Sequence, residues 1–365
     1  MLIERSRSVM NEGPRLSIIC PSYNHGKYVL PFIESLKVQT DSRWELIIID
    51  DASTDDNLAR IRSVTDSHIR VVARDSNHGV AAGMNDGIML ARADFIAFLA
   101  SDDLAQPRYV ERVLASFAEV PGAVAVYVEL DRMGPDGCSL NESCQLPALD
   151  SRLEILRNSF LGQNQLPSPG MAIRRDVAQD LLLPVGAVQY SDWILQNRVL
   201  MRGEVVMLEE PLVRYRVTPQ SLSARSLGSI ARDQLETRIM MDDFLRFPGI
   251  TFCAQVFPEE IKPYAALPDR HLPYVLGRIA LLSEISEKRC WGYETIMRHL
   301  SEPGMAESLR QHAGFTHKDL MGLAPTEAAA QTEEIRQLRR RLRHIRRWAM
   351  VLAGGLALAL WVLFA

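Results

Sequence analysis

The sequence predicts an α/β protein: a doubly wound, mainly parallel sheet, then a helical region, then a C-terminal transmembrane helix. Three observations carry that prediction. Short apolar runs alternate with amphipathic stretches from residue 16 to about 128, residues 228–322 are mostly of helical spacing, and the last eighteen residues carry no charge. A chain of 365 residues, nearly half of them hydrophobic, suits one large or two modest folded domains.

Taken in order, "LSIIC" (16–20), "ELIIID" (45–50), "IRVVA" (69–73), "DFIAFL" (94–99) and "AVAVYV" (123–128) read as buried strands. They are continuous rather than alternating, as parallel strands covered on both faces must be. Between them "YVLPFIESLKVQ", "DDNLARIRSV", "VAAGMNDGIMLAR" and "PRYVERVLASFAEV" have helical spacing, with Pro107 suited to a first turn. Such alternation implies right-handed crossovers, and it places ligands at the carboxyl ends of the strands. "DRMGPDG" is a hairpin turn, "GMAIRRDVAQDLLL" a strand and a helix, "SDWILQNRVLMRG" a helix closed by Gly203, and "EVVMLEEPLVRYRV" two short strands.

The tail changes character. Seven arginines lie between 336 and 347, with Ile335, Leu338, Leu342 and Ile345 forming a seam of about two heptads. "WAMVLAGGLALALWVLFA" (348–365) follows; at 1.5 Å per residue it is roughly 27 Å long, enough to span bilayer hydrocarbon. The alternative is a buried hairpin helix. Flanking arginines and terminal tryptophans favour the membrane, with the large domain on the cytoplasmic side. The expected division is a tail at 1–14, a catalytic domain at 15–227, a helical region at 228–325, an amphipathic segment at 326–347 and the span at 348–365. The seam permits a homodimer through residues 335–349.

A net charge of −4 gives no whole-molecule reason to expect nucleic acid. Five cysteines without CxxC spacing suggest neither a disulfide framework nor zinc. The N-terminus lacks an apolar signal core. No GxGxxG follows the first strand and no GxxxxGK[ST] occurs, which excludes the usual dinucleotide and P-loop fingerprints.

Three strand ends carry polar or acidic loops: "PSYNHGKY", "DDASTDDN" and "ASDD". In a parallel sheet these meet at one edge. Adjacent acids such as Asp102 and Asp103 are most often a solvated turn. Ending a buried strand, they point instead to Mg²⁺ or Mn²⁺, a hard cation held by one or two carboxylates together with substrate phosphates.

The ordered set "SIICPSYNHGKYVLPFIESLKVQTDSRWELIIIDDASTDDN" and "NHGVAAGMNDGIMLARADFIAFLASDDLAQP" resembles the family 2 glycosyltransferases of the GT-A fold, over roughly residues 15–225. The resemblance implies an inverting enzyme that uses a nucleoside diphosphate sugar. It implies that Pro21 and Tyr23 line the nucleobase pocket, that Asp51 accepts from the base with Asp50 beside it, and that Asp102 and Asp103 form the metal and diphosphate group. Ala100 departs from the pattern, since many relatives carry a further aspartate there. "VQYSDWILQNRVL" resembles the acceptor-side helix and puts Asp192 in the role of general base, with Ser191 where relatives often have Glu. A first-turn acid that merely stabilises its helix is the competing reading.

"PLVRYRVTPQSLS" resembles the family's closing segment, with Thr218 in place of a histidine. Arg216 or Arg214 is available to close over the diphosphate, or else belongs to a basic strand face packed on acids such as Glu209. Asp86, beside Asn85, is a further donor contact, and His25 and His78 lie near the pocket. The expected acceptor is a lipid-linked glycan at the inner (cytoplasmic) membrane, as in building a cell-surface polysaccharide. A degenerate nucleotide-sugar-binding scaffold is the alternative, favoured by Ala100 and Thr218. A pyrophosphorylase wants a glycine-rich basic loop that "PSYNHGKY" does not provide.

Overall fold

β1 (Leu16–Ser22), β2 (Trp44–Asp50), β3 (Ile69–Ala73) and β4 (Phe95–Phe98) are parallel and lie in the order β3-β2-β1-β4. They belong to a computed structural model that describes residues 13–148, 151–218 and 227–323. β1 and β2 are buried along almost their whole length, as their unbroken apolar runs require. β3 is half-exposed, because it is the sheet edge and has a neighbour on one side only.

The crossovers are α1 (Gly26–Lys37), α2 (Asn57–Arg62) and α3 (Val80–Leu90). Helix α3 lies very close to β1. A Cβ on Gly87 would stand 2.2 Å from Cγ2 of Ile19, and one on Gly83 would stand 3.3 Å from Cβ of Pro21. Two glycines four residues apart on one helix face thus set the spacing of "GVAAGMNDGI" against the first strand.

Beyond β4 come β5 (Leu104–Ala105), α4 (Tyr109–Glu119), the hairpin of β6 (Ala125–Met133) with β7 (Ser139–Cys144), and α5 (Arg152–Leu161). Pro107 stands one residue before the N-cap Arg108 rather than inside the first turn. β8 (Ala172–Arg174) then inserts antiparallel between β4 and β6, and α6 (Arg175–Asp180) and α7 (Ser191–Arg202) follow. The expected pair of short strands is one strand, β9 (Val205–Arg216), running parallel to β6. Pro211 lacks an N–H for the ladder, and the register slips on either side of it instead of the strand ending.

The first compact unit continues past residue 227 to Ala265, taking in α8 (Leu227–Asp243) and α9 (Ile250–Val256). Phe160 of α5 meets Phe244 and Phe257 edge-on at 4.8 and 5.0 Å, which ties this segment to α5. The second unit begins at Ala266 and includes α10 (Leu272–Ala280), α11 (Ser286–Ser301), α12 (Met305–Ala313) and α13 (His317–Gly322). Inside it, Nδ1 of the buried His271 lies 2.9 Å from Nε2 of His299. Among the described residues no helix is long and apolar enough to cross a membrane. The expected span at 348–365, the amphipathic segment at 326–347 and the dimer seam lie outside the described residues.

Candidate active site

The loops after β1 and β2 are locked together. Oδ1 of Asn24, in the left-handed region at φ 55°, accepts from the Thr54 N–H at 2.8 Å, and the Asn24 N–H donates to Ser53 Oγ at 3.0 Å. Asp50 is buried, and both its oxygens are occupied: Oδ1 accepts from Asn57 Nδ2 at 2.7 Å and Oδ2 from the Ser53 N–H at 3.1 Å. Tyr23 is 43 % exposed at the mouth of these loops, while Pro21 is half-buried against α3.

Asp51 is also buried, but its partners differ. It accepts from the N–H groups of His78 and Gly79 at 2.9 and 2.8 Å and from Arg74 Nη1 at 2.8 Å. Burial alone would raise its carboxyl; those N–H groups and the guanidinium outweigh burial and hold it below the usual range. Arg74 also pairs with the half-exposed Asp86, so one cation bridges the two acids expected to contact the donor. Arg74 was not singled out in the sequence. Its signal is its place, directly after "IRVVA", where a strand reaches the ligand edge. His78 contributes its backbone, and Asn85 pairs reciprocally with the backbone of Leu183 at 2.8 and 2.9 Å.

At the end of β4, Ser101 is fully buried and bonds Ser22 Oγ at 2.8 Å. Nδ1 of His25 lies 2.7 Å from Ser101 Oγ and 3.9 Å from Oδ1 of Asp102. Asn57 Nδ2 reaches Ser22 Oγ at 3.0 Å, so a polar chain runs from Asp50 to His25 beneath the cleft.

The two adjacent acids face different surroundings. Asp102 is half-buried beside His25. Asp103 is buried; its Oδ1 accepts from the Arg216 N–H at 2.8 Å, and its Oδ2 has no partner. Burial, and then the Asp102 charge, push the Asp103 carboxyl well above the usual range. Arg216 is itself buried, its guanidinium donating to the carbonyls of Asp102 at 2.7 Å and Gly134 at 3.1 Å and lying over the Tyr28 ring at 4.6 Å. These bonds hold the Asp102–Asp103 turn against the hairpin. Arg214 donates to the Gly137 carbonyl at 2.7 Å.

Among the described residues no group of three or more His, Cys, Asp or Glu is arranged to hold a metal. The two carboxylates do fit a divalent cation that draws its remaining ligands from phosphates and water. Asp102 is partly exposed, and the buried Oδ2 of Asp103, without a hydrogen-bond partner, is a second hard donor.

The acceptor side is wired to the same edge. Gly170 N–H donates to the Phe98 carbonyl at 2.9 Å, and Phe98 N–H donates to the Met171 carbonyl at 3.1 Å. The segment entering β8 therefore starts at the carboxyl end of β4. Gly170 has φ +79°, and a Cβ there would meet Val213 and Val128 at 2.7 and 2.8 Å. Two residues earlier, Ser168 favours the ionised form of Asp192 in the first turn of α7. Gln196, one turn on, donates to the Pro167 carbonyl at 3.2 Å and accepts from Asn164 at 2.9 Å, fixing this loop to the helix. Oδ1 of Asp192 accepts from the Trp193 N–H at 2.7 Å. Burial outweighs these bonds and raises the Asp192 carboxyl. Ser191 is buried.

A mostly parallel, curled sheet with acids gathered along its carboxyl edge, followed by a helical C-terminal region, is the GT-A architecture. Residues 17–182 match the family model described as Glycosyl transferase family 2. The succinoglycan biosynthesis protein ExoO of Rhizobium meliloti (strain 1021) is 32 % identical over 349 residues, covering 88 % of this chain and 95 % of that protein. The chain belongs to glycosyl transferase family 2. The putative teichuronic acid biosynthesis glycosyltransferase TuaG of Bacillus subtilis (strain 168) is 28 % identical over 257 residues, covering 67 % of this chain and 94 % of the relative. The crystal structure of S. aureus TarS 1–349 is similar in fold, with TM-score 0.54 and 17 % identity over 83 % of this chain and 93 % of that one.

Proposed function

We propose that this chain is an inverting glycosyltransferase that moves a sugar from a nucleoside diphosphate sugar to a lipid-linked glycan in cell-surface polysaccharide synthesis. A UDP-sugar is the proposed donor. TarS has been crystallised with UDP and with UDP-GlcNAc, and ExoO and TuaG carry names from the synthesis of surface polymers. The proposed working place is the inner face of the cytoplasmic membrane, held by residues 348–365, with a homodimer through 335–349.

The observation that carries this reading is the junction at Gly170. It ties the loop that Gln196 holds, one turn beyond Asp192 on α7, to the end of β4, the strand that leads to Asp102. In the proposed reaction the acceptor hydroxyl oxygen attacks the anomeric carbon, and its proton passes to the Asp192 carboxylate. The bond from that carbon to the diphosphate oxygen breaks, and the nucleoside diphosphate leaves with the electron pair. Pro21, Tyr23 and Asp51 bind and orient the base, Arg74 fixes Asp51 and Asp86, and Arg216 holds the Asp102–Asp103 turn. Asp102 and Asp103, together with the diphosphate, would hold a Mg²⁺ or Mn²⁺ ion, which would supply positive charge to the leaving group.

Calorimetric titration of UDP and GDP into the full chain, with and without Mn²⁺, tests the donor site. The expected result is Mn²⁺-dependent binding of UDP that Asp102→Asn weakens at least about tenfold. Failure of either nucleotide to bind under any metal condition would favour the degenerate scaffold, for which Ala100 and Thr218 argue.

A further inference from the structure

Tyr190, at the N-cap of α7, makes no side-chain capping bond. The backbone leading into the first turn is held from α8. Oε2 of Glu236, a residue only 3 % exposed, accepts from the N–H groups of Gln189 at 2.7 Å and Tyr190 at 2.8 Å. At the far end of α8, Asp243 receives Arg198 Nε at 2.9 Å and Nη2 at 3.0 Å, a bidentate pair of nearly buried side chains. Helix α8 is thus fixed to α7 at two points.

A buried carboxylate is an expensive way to satisfy two N–H groups. Ser, Thr or Asn caps a helix without charge. A carboxylate at a helix N-terminus is favoured by the macrodipole, but a second one nearby must ionise against the first. Here the second is Asp192, two positions along from Tyr190. We infer that Glu236 is a positioning residue for Asp192: it holds the first turn of α7 in place and supplies the negative charge against which the base ionises. The inference rests on the proposed role of Asp192 as base.

The groups facing Asp192 agree with it. Ser168 from the loop before β8 and the Trp193 N–H from its own helix favour the ionised form. Burial first, and Glu236 in the same direction, favour the protonated form, and burial dominates. Arg232 of α8 reaches the Gln189 side chain at 3.4 Å, on the cap rather than on the base. A carboxylate with raised proton affinity accepts a hydroxyl proton more readily. The helix beyond the family's matched residues 17–182 thereby acts on the chemistry.

The test is a pH titration of the full chain carrying γ-¹³C-labelled aspartate, with the Asp192 resonance identified by its loss in Asp192→Asn. In Glu236→Gln that resonance is expected to titrate about half a pH unit lower, or more. The acid limb of UDP release from UDP-N-acetylglucosamine moves with it, while the KM for that donor is unchanged. Glu236→Asp keeps the charge but withdraws it by one methylene, and gives a smaller shift of the same sign. Asp243→Asn loosens the other anchor and lowers thermal stability without moving either titration. If Glu236→Gln costs stability or rate while Asp192 titrates as before, the inference is overturned and Glu236 is only a cap. If the resonance moves and the rate limb does not, Glu236 acts on Asp192 as inferred, but Asp192 is not the base.

Discussion

Glu45 and Asp103 are both acids buried at the ends of parallel strands, one at the amino edge of the sheet and one beyond its carboxyl edge. Glu45 accepts from Ser17 Oγ at 2.7 Å, from the Arg92 N–H at 2.9 Å and from the Arg92 guanidinium at 2.7 and 3.0 Å. Burial alone would raise its carboxyl, but these partners outweigh burial and hold it below the usual range. Asp103 has one N–H on one oxygen, nothing on the other, and a charged neighbour. The same side-chain chemistry, on one sheet, is completed internally at one edge and left incomplete at the other. Completion marks a fastening. Incompleteness at the carboxyl edge is what the proposed cation site rests on.

The contrast is broken most severely on the incomplete side. Asp192→Asn is expected to lower transfer by about 10²–10⁴-fold with UDP affinity unchanged; activity equal to wild type would place the base elsewhere. On the complete side, Glu45→Ala should lower the unfolding free energy in urea by about 2 kcal/mol, with the transfer rate per folded molecule unaltered. A loss of rate without loss of stability would erase the distinction between the edges.

Acid sharpens it further. The stability from Glu45 is present above its usual value of 4.5 and is lost as pH falls through its depressed folded value. Glu45→Gln should therefore show a flatter decline in stability below about pH 4.5 than the wild type. The smallest effect is expected at Ala52, whose φ of 61° puts a residue with a Cβ in the left-handed region beside Asp51. Ala52→Gly should raise the unfolding free energy by about 0.5–1 kcal/mol, and a decrease would show that the turn carries no strain.

Much of this arrangement was readable from the residues because buried parallel strands write themselves as unbroken apolar runs; β1, β2 and β4 lie where "LSIIC", "ELIIID" and "DFIAFL" predict. "IRVVA" has the same look, yet β3 is an edge, since strand order depends on long-range pairing that a local run does not record. "EVVMLEEPLVRYRV" reads as two short strands, whereas one strand runs through Pro211 with a slip in register against β6. At the site, "ASDD" reads as two equivalent acids, and only the fold turns one toward His25 and the other toward the Arg216 backbone. The sequence offers Arg216 or Arg214 to close over the diphosphate, or else a basic strand face, and does not show that Arg216 donates to carbonyls of the turn at Asp102. Ser22, Asn57, Ser101 and Ser168 matter through partners up to 79 residues away, and isolated polar residues carry no spacing to betray that. Glu236 sits in a stretch of helical pattern with no motif at all.

Gly170 joins the strand that ends at the diphosphate edge to the loop that steadies Asp192, and it is confined both by its backbone angle and by two valines. In mechanical terms this residue is a pin between two segments far apart in the chain. The loop at 181–190 is held as well, by Asn85 at Leu183 and by Glu236 at Gln189 and Tyr190. A side chain at Gly170 would push the β8 loop away from β4, and with it everything that loop fastens.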